Sequence, residues 1–126
     1  MIPHAAIRNR YMRDRPQIRL GGLASNLARI QSFSEHPDHK DEVARLIEES
    51  AFFIEWTAAD VDAVVREALL DLQRTLVRWR RSWDSIWRDA DRRAEVAGRA
   101  GSWSEQMLRM AGLQPPARPT SKTAPG

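Results

Sequence analysis

His36 and His39 stand three residues apart among Glu35, Asp38, Asp41 and Glu42. Two imidazoles with neighbouring carboxylates are ligands that Zn²⁺ or another divalent ion accepts. Pro37 lies between them, so they do not share a helical face, and the third histidine, His4, is far away near the N-terminus. The pair reads as two turn histidines, and no metal site is assigned. Nucleophilic catalysis needs a nucleophile, a base and an orienting group brought together. The chain has no GxSxG, GxxxxGK[ST] or GxGxxG pattern, and it has no cysteine. Disulfides, thiolate ligands and a Cys nucleophile are therefore excluded. Glu48, Glu49 and Glu55 are spaced along a solvated face rather than as a converging pair. The expectation is a protein that is not an enzyme and uses no cofactor.

Two other groupings could make contacts. The first is Trp79, Trp83 and Trp87 with Arg78, Arg80, Arg81 and Arg88. Such a segment could lie in a lipid interface, or stack nucleic-acid bases on Trp and hold phosphates with Arg. Wound at about 100° per residue, however, Val65, Leu69, Leu72, Leu76 and the three tryptophans fall on one arc of roughly 60° to either side of Leu76. Most of the arginines point away from it, so the tryptophans read as a continuation of a buried seam. The second grouping is Arg8, Arg10, Arg13, Arg15 and Arg19 against Asp14 alone, a net of +4 in residues 1–19. These five arginines are the candidate contact to an anionic surface, either lipid headgroups or nucleic-acid phosphates. Trp56, at the flank of a helix face, and Trp103 are the candidate partner contacts.

The elements that must position these residues are helices. Residues 1–19, with Pro3 and Pro16, read as a basic flexible arm. Leu20, Leu23, Leu27 and Ile30 start a helix over about 20–34 that ends before Pro37. Asp38 is a candidate N-cap for a second helix over 39–57, whose inner face is Val43, Leu46, Ile47, Ser50, Phe53, Ile54 and Thr57. Asp60 would cap a long helix over 60–87, with a bend or short turn at 84–90. A fourth helix over 90–111 carries a stripe of mostly small residues: Ala90, Ala94, Ala97, Gly101, Ser104, Leu108 and Ala111. Such a stripe lets two helix backbones approach closely, within one chain or in a homodimer. Gly112 suits the position just past the helix end. Residues 114–126, with four prolines, read as a disordered tail. Short links make successive helices antiparallel neighbours. The fold class is therefore all-α, an antiparallel bundle of three to four helices over 20–113 with disordered tails.

Composition agrees with this. The 126 residues, 42% hydrophobic and 29% charged, suit one soluble domain. The net charge of +3 is uneven: residues 20–59 carry −4, and the excess lies mainly at the two ends. No run of about eighteen apolar residues suggests a membrane span, and the N-terminal stretch lacks the apolar core of a secretory signal.

LASNLARIQSF (23–33), LIEESAFFIEWTA (46–58), LVRWRRSWDSIW (76–87) and WSEQMLRMAGL (103–113) together resemble a family of small all-helical cyanobacterial proteins described as thylakoid-associated. The resemblance covers about residues 20–113 and brings no catalytic or cofactor residues with it. It implies a peripheral protein on the cytoplasmic side of the thylakoid membrane, touching the membrane or a membrane-bound complex, and otherwise cytoplasmic. A small basic nucleic-acid-associated protein using the Arg-rich arm is the alternative.

Overall fold

The computed structural model describes residues 4–112, and those residues are helical with no strand. Six α-helices follow one another: α1 (His4–Met12), α2 (Pro16–Phe33), α3 (Lys40–Thr57), α4 (Ala63–Arg81), α5 (Trp83–Trp87) and α6 (Ala90–Met110). Short 3-10 turns fill Pro37–His39 and Ala58–Asp60. The class is all-α, as expected, but six helices replace three to four. The arm contributes α1, and the long helix expected over 60–87 is divided. The Pro-rich stretch 114–126 lies outside the described residues.

Helix starts account for most of the differences. α2 begins at Pro16, four residues before the expected Leu20. Proline is well placed in a first helical turn, where its missing N–H leaves nothing unpaired, and Arg15 before it is extended. Asp38 does not cap α3; it sits inside the 3-10 turn, and His39 precedes the helix without a side-chain cap. Asp62, not Asp60, caps α4, its carboxylate accepting from the Val65 amide at 2.9 Å. Asp62→Ala is therefore expected to cost about 1 kcal/mol, measurable by denaturant unfolding, whereas Asp60→Ala acts through a different contact described below. Asp89 caps α6 by accepting from the Asp91 and Arg92 amides. The chain breaks at Ser82 and again at Arg88–Asp89, so α5 occupies much of the expected turn at 84–90. Gly98, Gly101 and Ser102 leave α6 unbroken, and Gly112 follows it at φ +77.

Side-chain pairs fix the directions. Between α2 and α3, Arg19 meets the Trp56 carbonyl and Asn26 meets Glu49, and Phe33 meets His39 just before α3. Between α3 and α4, Gln73 reaches the Ala51 carbonyl and Arg80 reaches Glu48, and Trp83 at the start of α5 reaches the Lys40 carbonyl. In both sets one number rises as the other falls, so both pairs are antiparallel. α2 also packs along α6, and α5 against α6.

The core is the set of faces expected from the period. Leu23, Leu27 and Ile30 of α2, Val43, Ile47 and Ile54 of α3, and Leu69, Leu72 and Leu76 of α4 are all fully buried. On α6 the small residues Ala97, Gly101, Ser104 and Ala111 are buried, while Ala90 and Ala94 are exposed. Ser104 donates to the Ala24 carbonyl of α2 at 2.8 Å. A Cβ on Gly101 would fall 2.6 Å from Gln31 Nε2. The stretch of the stripe around Gly101 and Ser104 is thus covered by α2 of the same chain.

Candidate functional site

α1 is an ordered helix docked on the bundle. Ile7 and Tyr11 lie four residues apart, one turn of helix, and Ile7 and Met12 pack against the core beside buried Tyr11. The Tyr11 ring stacks on Phe53 with centroids 4.1 Å apart and planes 12° from parallel. Its hydroxyl donates to the Arg19 carbonyl at 2.8 Å and lies 3.0 Å from Thr57 Oγ1. Burial pushes the phenol up to about 12, with the Thr57 hydrogen bond and the Arg19 charge opposing that rise.

The five arm arginines separate into two kinds. Arg8 and Arg10 on α1, and Arg13 and Arg15 at its end and in the link to α2, are exposed. Among the described residues none of these four makes an ion pair. Arg19 differs from the other four: it is only 5% exposed and faces inward, so it is not available to an anionic surface. Its Nε donates to the Asp14 carbonyl at 3.1 Å, and Nη1 reaches the Trp56 carbonyl and Asp60 Oδ2, both at 3.0 Å. A cation at the last turn of α3 also suits the negative end of that helix dipole. Within the expected arm, His4–Met12 is thus helical and α2 already begins at Pro16. Tyr11, Arg19, Thr57 and Asp60 clamp α1 and the start of α2 to the end of α3. Asp60 acts here as the partner of Arg19 rather than as a helix cap.

Trp56 is half-buried, its ring 5.5 Å from Phe52 and 5.9 Å from Tyr11. Trp103 on α6 is half-buried and packs against the core. Trp79, Trp83 and Trp87 are buried, 9%, 9% and 6% exposed. Trp83 Nε1 donates to the Lys40 carbonyl at 3.2 Å and Trp87 Nε1 to the Pro37 carbonyl at 2.8 Å. Their centroids are 5.2 Å apart, and the Arg93 guanidinium lies 5.6 Å from the Trp87 ring. Only an edge of each ring reaches the surface, which is too little for a base to stack on.

His36 and His39 face each other edge-on with centroids 6.1 Å apart. His39 packs on Phe33 at 5.0 Å and lies 3.6 Å from Glu42 Oε2. Among the described residues no three His, Asp or Glu side chains gather as a metal site requires. A groove of about 250 Å³ between α3 and α4 is walled by Ile47 and Trp83 and crossed by the Glu48–Arg80 ion pair at 3.4 Å. Lys40 and Asp84 pair at 2.7 Å nearby, which holds the Asp84 carboxyl below its ordinary value.

Sequence reasoning found the exposed arginines through their density but missed the clamp. Arg19 meets Asp60 and Trp56 across some forty positions, and no local pattern marks such a contact. The usable signals were the Ile7–Tyr11 spacing and Pro16.

Comparison with protein families, with curated proteins and with solved structures finds no match to this chain. Among the described residues no helix is long and apolar enough to cross a membrane.

Proposed function

We propose that this chain is a non-enzymatic helical protein that associates peripherally with an anionic membrane surface or a membrane-bound complex through α1 and the turn after it. One observation carries the reading: Arg8, Arg10, Arg13 and Arg15 are exposed and, among the described residues, without ion pairs on a segment that Tyr11 and Arg19 hold in place. Docking the helix lowers the ordering entropy that a mobile arm would lose on binding. Each arginine near an anionic leaflet contributes about 1 kcal/mol, and salt screens it. The resemblance in the core segments would put this surface at the cytoplasmic face of a thylakoid membrane. Nucleic acid remains the alternative occupant, but burial of Trp79, Trp83 and Trp87 removes the stacking platform that would favour it.

Vesicle co-sedimentation of the full chain tests the proposal. Binding to phosphatidylglycerol vesicles is expected to fall with added salt. It is expected to weaken by up to about a thousandfold when Arg8, Arg10, Arg13 and Arg15 all become Gln, from four contributions of about 1 kcal/mol each. Binding indifferent to both treatments overturns the electrostatic contact. A salt-sensitive gel shift in a protein that ignores vesicles transfers the arginines to nucleic acid.

A further inference from the structure

At the other end of the bundle a second cationic feature is built differently. The two ends are separated along α3, which meets Arg19 at Trp56 and Trp83 at Lys40. Helix rise puts those positions roughly 24 Å apart. Where the end of α4 and α5 meet the first turns of α6, a cleft of about 310 Å³ opens. Arg78 and Arg81 line it from α4, Arg92 and Glu95 from α6, and Trp79 and Ile86 contribute apolar wall.

Three arginines from two helices thus line one cleft with a single carboxylate residue, Glu95. Among the described residues none of the three makes a salt bridge. Arg78 only approaches the Thr75 hydroxyl at 3.5 Å, and Arg92 donates to Ser85 Oγ at 3.0 Å. Both acceptors are neutral, and each takes only one of the five N–H donors that a guanidinium carries. Arginines in the last turn of α4 suit that helix's dipole, which accounts for Arg78 and Arg81 but not for Arg92, three residues into α6.

We propose that this cleft binds a phosphate monoester, its oxygens held by Arg78, Arg81 and Arg92 and its organic part against Trp79 and Ile86. A planar fork of donors matches phosphate oxygens bidentately, and the apolar wall favours an ester over the free ion. The site lies apart from α1 and does not depend on the membrane reading.

Isothermal titration calorimetry at constant ionic strength, with glycerol 3-phosphate as probe and chloride as control, tests this. Saturable binding is expected. Arg81→Gln and Arg92→Gln are each expected to weaken it about tenfold, one charge-assisted contact each. Glu95→Gln is expected to tighten it several-fold, an effect that a merely structural carboxylate would not produce. Circular dichroism keeps the folded state of each variant in view. Soluble short-chain phosphatidate separates the two sources of the ester: binding at least tenfold tighter than glycerol 3-phosphate assigns a lipid headgroup, and equal binding assigns a free metabolite ester. No saturable heat above the chloride control in the unaltered chain, or binding unchanged in the Arg81→Gln/Arg92→Gln double variant, overturns the site.

Discussion

Tyr11→Ala is expected to lower the unfolding free energy by about 3–5 kcal/mol, the range for removing a buried aromatic ring. That is a large part of the roughly 5–15 kcal/mol that holds a domain folded. The ring is 9% exposed and stacked on Phe53, and its hydroxyl serves the Arg19 carbonyl and Thr57. Losing it frees α1 from the end of α3, so proteolysis near Arg8–Arg15 should accelerate ahead of global unfolding. Tyr11→Phe keeps the stack and removes only the hydroxyl contacts, at about 1–2 kcal/mol. It also isolates a pH effect. Burial pushes the folded phenol up to about 12 from its ordinary value of 10.0. The folded state therefore keeps the proton that the unfolded state loses, and stability must fall as pH rises. The contribution is full below pH 10 and disappears by about pH 12, roughly 2–3 kcal/mol across the window. Urea unfolding from pH 9 to 12 should show a steeper decline in the unaltered chain than in Tyr11→Phe. Parallel declines would mean the phenol is solvated and α1 undocked.

How much of this was legible in the sequence depended on whether a contact leaves a periodic trace. The seam from Leu69 through Leu76 to Trp87 was readable because burial of one helix face repeats at a fixed angle. It survives the break at Ser82, since α5 restarts at once with Trp83 still on the inner side. The faces of α2 and α3 were readable for the same reason. Burial of Ser104 and Gly101 against α2 followed from their size, though nothing in the sequence said whether the neighbour belonged to the same chain. The clamp was not readable. Arg19 looks like its four exposed neighbours, and its inward turn depends on the Trp56 carbonyl and Asp60, which only the folded chain brings near. Asp60 and Asp62 were equally good caps by type. In the folded chain Asp60 pairs with that distant arginine, and Asp62 accepts from the Val65 amide. The α4–α6 cleft was hidden in the same way, since Arg92 joins Arg78 and Arg81 only after α5 has turned the chain.

Trp87→Ala is expected to cost about 3–5 kcal/mol, comparable with Tyr11→Ala but at the opposite end of the bundle. Trp87 is 6% exposed and does two things at once. Its ring fills the space between Trp83 and the Arg93 guanidinium, and its indole N–H satisfies the Pro37 carbonyl in the turn before α3. That carbonyl is the reason a tryptophan suits the position better than a phenylalanine. Trp87→Phe keeps much of the apolar area and loses the donor, so about 1–2 kcal/mol is expected. Trp83 and Trp87 touch, so their alanine variants should not add; a coupling of about 0.5–3 kcal/mol is expected in the double-mutant cycle. The Arg93 contact contributes less, about 0.5–1 kcal/mol for a cation beside an indole near the surface. A tryptophan held out for lipid or bases would behave differently, because replacing it would leave unfolding almost unchanged and affect only binding. Denaturant unfolding of Trp87→Ala therefore decides between the two roles: stability within about 0.5 kcal/mol of the unaltered chain, the usual range for a surface position, would return the Trp79–Trp83–Trp87 stripe to the surface.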